Sequence, residues 1–294
     1  MVAELTVRYA SAEKLLEQVI SWIDSSASIV EPSWRERMNE STEVEDVFES
    51  DDPEAPVGPP EGVLARITTT SGSGNYISTA RYRGESTWMG LRAKKADLKR
   101  VFFEVQKLDS LGFPSDGFSL SCSRVGEESG WLRVSMSFRE SEEIANPERF
   151  ARRLTVLKRF AEDQEVGFGH VSYLYNPLLP TAYEEALNVD PEHSITRHPE
   201  LVRGYSWITV IAREIWDAIG GVDAIRACGL FDEVYELANG AHWLQVGATW
   251  RDYLDTDFSL LQRLFAPILI PGKLVRDDMS GTSSHFPPQL VAFQ

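Results

Sequence analysis

Cysteine is nearly absent: Cys122 and Cys228 are the only two in 294 residues. Two thiols cannot build a disulfide framework or a four-cysteine zinc site, so they read as small buried residues of a reducing compartment. Long apolar runs are missing as well, and none approaches the roughly 18 residues that span a bilayer. The amino-terminal stretch MVAELTVRYASAEKLL has no basic segment and places Glu4 ahead of any apolar block, which argues against a signal peptide. The chain therefore reads as cytoplasmic. Positive charge is scarce: 29 Lys and Arg face 45 Asp and Glu, for a net charge of −16. Nucleic acid and anionic membrane both demand a basic face, so neither is expected as a direct partner. A basic protein suits such a chain better, although the same charge can serve solubility alone.

Glycine is missing where a phosphate loop would need it. In RGYSWITVIAREIWDAIGG, residues 203 to 221, a strand runs into a helix through VIARE, with no glycine between them. Gly220 and Gly221 sit at the far end, where glycine ends helices, so this segment is scaffold. SGSGN lacks the lysine of a Walker loop and precedes no helix, and it reads as a hairpin turn. The five histidines are His170, His193, His198, His242 and His285. HSITRH spaces two of them five apart, whereas a helical metal pair needs three or four, so they read as surface-loop histidines and no metal or cofactor is expected. No G-x-S-x-G elbow is present. Adjacent acids such as Glu142 and Glu143, Glu184 and Glu185, or Asp277 and Asp278 read as solvated surface in so acidic a chain. No catalytic residue is assigned.

What is present can build a substantial core: 43% of residues are apolar, with eight tryptophans and fourteen phenylalanines. ELTVRYA reads as a strand, and Ser11 caps a helix with Leu15, Leu16, Val19, Ile20 and Ile23 on one face. Residues 39 to 62 hold nine carboxylates, four prolines and no basic residue, which makes them an acidic surface loop. VLARITTT and YISTARYR form a hairpin, TWMGLRA adds a further strand, and Leu98, Val101, Phe102, Val105 and Leu108 line one side of a helix. FSLSCSRV and WLRVSMSF pair around GEESG. Asn146-Pro147 opens a helix striped by Phe150, Leu154, Leu157 and Ala161. GFGHVSYLY is a strand, TAYEEAL a short helix, FDEVYEL and HWLQVGAT a hairpin across ANG, and Thr256 or Asp257 starts a final helix. Trp207, Trp216 and Trp243 are expected in the core. Tyr173, Tyr175 and Tyr183 are open between core and partner-binding anchors. The order of elements predicts an α+β fold with antiparallel sheets covered by helices, in two halves of similar order, 1–145 and 146–275, followed by a tail at 276–294.

The run RHPELVRGYSWITVIAREIWDAIGGVDAIRACGLFDEVYELANGAHWLQVG, with the later API-LIPG segment from Ala266 to Gly272, resembles immunity proteins of bacterial polymorphic toxin and type VI secretion systems, in particular the group that includes immunity-protein family fifty-two. The resemblance covers about residues 165 to 275 and rests on fold-type positions. It implies a non-enzymatic cytoplasmic protein that binds a cognate secreted toxin and blocks its active site. It implies no contact residues, and the acidic loop has no counterpart in it.

Many toxins act on nucleic acids or nucleotides through basic clefts, so an acidic loop can steer and occupy such a cleft. On that reasoning Glu43, Glu45, Asp46, Glu49, Asp51 and Asp52 are candidate partner-binding residues, against the alternative of a solubilising loop. Two other readings stay open from the sequence. One is an enzyme using carboxylates with His170 or His242 in a cleft; the other is an adaptor of a secretion apparatus.

Overall fold

A computed structural model describes residues 1–30, 32–33, 60–72, 77–93, 98–126, 129–137, 145–172 and 180–272. The chain divides into two compact units. One comprises Met1–Arg8, Val125–Trp131 and Arg159–Gln294; the other comprises Tyr9–Arg124 and Leu132–Lys158. This division follows space rather than sequence. The first strand lies with the C-terminal elements, so the division does not coincide with a boundary at 145/146.

In the second of these units the strands run in the order β3 (Ile77–Arg81), β2 (Val63–Ser71), β4 (Leu98–Leu108), β5 (Pro114–Val125), β6 (Trp131–Ser137). β2 pairs antiparallel with both β3 and β4, and β4 with β5. Helix α1 (Ala12–Val30) begins where Ser11 accepts a bond from the Lys14 amide at 3.2 Å, and it buries Leu15, Leu16, Val19, Trp22 and Ile23. The expected α+β class with antiparallel sheets is what the chain adopts.

Two elements differ from expectation. Leu98–Leu108 is a strand, not a helix. Its apolar residues satisfy both periods, but Val101, Phe103 and Val105 also alternate at period two. Pairing along both edges, together with the aromatic and β-branched run VFFEV, decides for the strand. Conversely, the segment around TWMGLRA is helix α2 (Glu85–Ala93), not a strand. It buries Trp88 and Leu91 three apart, and Tyr82 stands edge-on between Trp88 and Phe103, at 5.4 and 5.2 Å.

In the other unit the strand order is β1 (Val2–Arg8), β7 (Val166–Ser172), β8 (Ile208–Ile211), β10 (His242–Val246), β9 (Phe231–Glu236). Neighbours pair antiparallel throughout. Helix α3 (Pro147–Glu162) begins in the former unit, and only its last turn, from Arg159, belongs to this one; it starts as expected, with the Asn146 side chain accepting from the Arg149 amide at 3.1 Å. Short helices follow: α4 (Ala182–Leu187), α5 (Pro191–Ile195), α6 (Gly221–Cys228), α7 (Trp250–Leu254) and α8 (Phe258–Phe265). The segment after β8 is not the continuous helix expected there. It forms two single 3-10 turns, Arg213–Ile215 and Asp217–Ile219, before Gly220 turns left-handed at φ 87°. Trp207 and Trp243 are core, whereas Trp216 is only half-buried and stacks flat on the His242 ring, centroids 3.6 Å apart.

The register places Leu5, Gly169 and Val210 side by side across β1, β7 and β8. Glycine is required there by space: a Cβ on Gly169 would lie 2.3 Å from a Leu5 methyl and 3.1 Å from the Val210 Cβ. Gly169→Ala should lower stability by about 1–3 kcal/mol through overpacking. Urea denaturation reads this as a reduced midpoint, and an unchanged midpoint would show that the three strands can separate at no cost.

Candidate partner-binding surface

The densest cluster of ionisable groups is buried. Arg203, Glu184 and Glu4 are each at most 1% exposed. The Arg203 guanidinium forks onto Glu184, with Nε 2.7 Å from Oε1 and Nη2 2.9 Å from Oε2, and its Nη1 donates to Glu4 Oε1. Local structure prepares Glu184 for this. Thr181-Ala182-Tyr183-Glu184 is a capping box: the Glu184 amide donates to Thr181 Oγ1 at 3.2 Å, and the Thr181 amide donates to Glu184 Oε2 at 2.7 Å. The Thr181 hydroxyl in turn donates to the Arg203 carbonyl at 2.7 Å.

Burial opposes charge on Arg203, but Glu4 and Glu184 outweigh it and hold the guanidinium above its ordinary pKa. His170 lies opposite Glu4 in the β1–β7 register, its Nε2 3.8 Å from Glu4 Oε1 and its Nδ1 2.9 Å from Ser172 Oγ. So complete an enclosure suits a structural clasp. The sequence reading of Glu184 as solvated surface is thereby corrected. The T-x-x-E pattern of the capping box was the available signal, along with an acid inside the apolar alternation of β1.

His198 is also buried, not a surface-loop histidine. Its ring packs near-parallel to Phe168 and edge-on to Trp131, at 6.0 and 5.7 Å, while Nδ1 donates to the Leu201 carbonyl at 2.8 Å. Burial first, then the Arg203 charge, push its pKa down to about 3. His242 is held below its ordinary value by burial as well. His193, by contrast, is exposed.

The accessible chemistry lies at the β9–β10 hairpin and the C-terminal end of α3. Asp232 to Glu236 are exposed along β9, the terminal strand of its order. That strand has three acids and no base. Tyr235 stands opposite the buried Trp243, and its hydroxyl lies 3.0 Å from Glu162 Oε1 on α3. In the hairpin turn, the Asn239 amide donates to the Ala161 carbonyl at 2.7 Å and to the Gln164 carbonyl, which closes the end of α3. A pocket of about 290 Å³ opens here, lined by Glu162, Asp163, Glu165 and Glu214 with Arg213, Asn239 and backbone neighbours. Four carboxylates line it beside Arg213, and Glu165 is also paired with the Arg8 guanidinium at 3.2 Å, which leaves an excess of negative charge at the partially negative end of a helix. Among the described residues no group of three or more His, Cys, Asp or Glu side chains is arranged to hold a metal ion.

Of the sequence candidates, Glu43, Glu45, Asp46, Glu49, Asp51, Asp52, Tyr173 and Tyr175 lie outside the described residues. Tyr183 is half-buried, and its hydroxyl donates to the Ile270 carbonyl at 3.1 Å, tying α4 to the segment after α8. His170 and His242 are both buried on strands of one unit. Cys122 is buried, which pushes its thiol pKa up. No helix among the described residues is long and apolar enough to cross a membrane.

No family model matches the chain, and no curated protein matches it. Among solved structures the fold is similar to that of the Pseudomonas aeruginosa T6SS protein PA0821. The TM-score is 0.53 at 15% identity, over 95% of this chain and 76% of that one. At that identity the likeness is one of fold.

Two outcomes follow from the buried groups. Arg203→Met leaves two carboxylates buried without their cation, and should cost about 3–5 kcal/mol in urea denaturation. Arg203→Lys keeps the charge but loses the fork, so it should recover only part of that. If Arg203→Met is as stable as the parent, the clasp does not hold the unit. For His198, a folded-state pKa near 3 lies below the ordinary 6.5. The unfolded chain then binds more protons between those values, so this contribution is complete above pH 6.5 and is lost as pH falls. Its slope approaches about 1.4 kcal/mol per pH unit. Denaturation midpoints followed from pH 7 to 4 should fall less steeply for His198→Phe than for the parent; equal slopes would refute the assignment.

Proposed function

We propose that this chain is a cytoplasmic immunity-type protein of type VI secretion or a related toxin system, which binds a cognate toxin and blocks its active site without chemistry of its own. The observation that carries this reading is the concentration of exposed acid around β9 and the end of α3, on a fold similar to that of a T6SS protein. The most deeply buried ionisable groups bind one another, which suits a rigid binder whose scaffold charges are internal. The net charge of −16 favours fast, salt-sensitive association with a basic cleft. The same fold likeness also suits an adaptor of the secretion apparatus, which would bind a partner without protecting a cell.

A growth assay separates these readings. The chain is produced together with the toxic protein encoded beside its own gene. Growth should be restored and the two proteins should co-purify in fixed stoichiometry. Raising salt from about 50 to 500 mM should weaken the complex about tenfold or more, because screening removes the steering. A stoichiometric complex without protection would favour the adaptor, and no complex would refute the immunity reading.

A further inference from the structure

We infer that β9 receives an extended basic segment of the partner as an added antiparallel strand. This rests on the reading of the chain as a partner-binding protein and names where the binding occurs. Among the described residues β9 is the last strand of its order, with β10 on one side. Edge strands template further strands, because backbone groups along the outer edge point away from the sheet. The large apolar side chains are exposed to an unusual degree for the middle of a strand: Val234 and Tyr235 are each 40% exposed. They alternate across the two faces, Val234 in register with Leu244 and Tyr235 with Trp243.

Charge chooses the occupant. A second copy of this chain is disfavoured: antiparallel self-pairing centred on Val234 would set Asp232 opposite Glu236 at both ends, and directly opposed like charges destabilise a pair. A basic strand reverses the sign of every such contact. The complementary segment, read in its own direction opposite Glu236 to Asp232, is cation, apolar, apolar, cation, cation. Tyr235 continues this surface to Glu162 and so to the acidic pocket, which can take a further lysine or arginine from the same partner.

The test uses the full-length, nitrogen-15-labelled chain and an amide-capped peptide of sequence Lys-Val-Val-Lys-Lys, with Glu-Val-Val-Glu-Glu as its control. Saturable shifts of the amides of residues 231 to 236, weakened by salt and absent with the acidic control, are expected. The double variant Glu233→Lys/Glu236→Lys should lose at least tenfold in affinity while keeping the parent's circular dichroism and melting temperature. Should that variant misfold, the mapping on the parent chain decides alone. Shifts confined to other residues, or none at millimolar peptide, overturn the inference and leave the β9 acids as guards against self-association. The growth assay stands apart from this result. Protection that survives the double variant refutes the β9 site and spares the immunity reading, whereas peptide binding at β9 without protection does the reverse.

Discussion

The fork of Arg203 onto Glu184 and Glu4 is the constraint around which the C-terminal unit is arranged. A guanidinium and two carboxylates removed from water are tolerable only when each is hydrogen-bonded by the others, so three segments distant in sequence must arrive together. β1 brings Glu4, the capping box of α4 brings Glu184, and the extended segment before β8 brings Arg203. Specificity is the better description of this contribution than raw stability, since a shifted β1 register would strand Glu4 against apolar neighbours. From β1 the ladder continues through β7, β8 and β10, each strand held by the register of the one before. The exposed β9 is thus the far end of the series, tied to the end of α3 by the Tyr235 hydroxyl and the Asn239 amide.

This arrangement separates two uses of acid. Inside, Glu4 and Glu184 answer a cation at hydrogen-bond distance. Outside, the acids of β9 and of the α3 end sit in high dielectric, where their mutual repulsion is modest and their summed field reaches an approaching protein. A binding surface benefits from that division because the scaffold does not have to rearrange when the outer charges meet their complement. Asn239 belongs to the outer region: its side chain closes the carbonyl end of α3 and fixes the β9–β10 turn beside the pocket.

Much of the fold was legible in the residues, and the failures have physical causes. Hairpin chemistry at ANG and the Asn146-Pro147 helix start are local signals, and both elements form as read. Leu98–Leu108 misled because its apolar spacing satisfies a helix and a strand alike, and only the flanking strands β2 and β5 decide between them. The segment around TWMGLRA misled in the opposite way. Glu184 and His198 read as surface because the groups that bury them are distant in sequence; the T-x-x-E pattern marks a helix cap but not the guanidinium that encloses it. For the candidate surface, the acidity of FDEVYE was plain, yet nothing local said that this strand would be last in the sheet rather than central.

By itself the sequence determined the class of the fold, the approximate span of most helices and strands, and the strongly acidic character of the chain. These are properties of composition and of contacts a few residues apart, where propensity, capping and turn chemistry act. Only the tertiary structure decided the fates of Glu4, Glu184 and Arg203, the burial of His198, and the placing of β9 at an edge beside the end of α3. Each depends on pairing between residues far apart in the chain, Glu4 and Arg203 being 199 positions apart. The energy of such a pairing is set by desolvation and geometry at the meeting point, which no local pattern encodes.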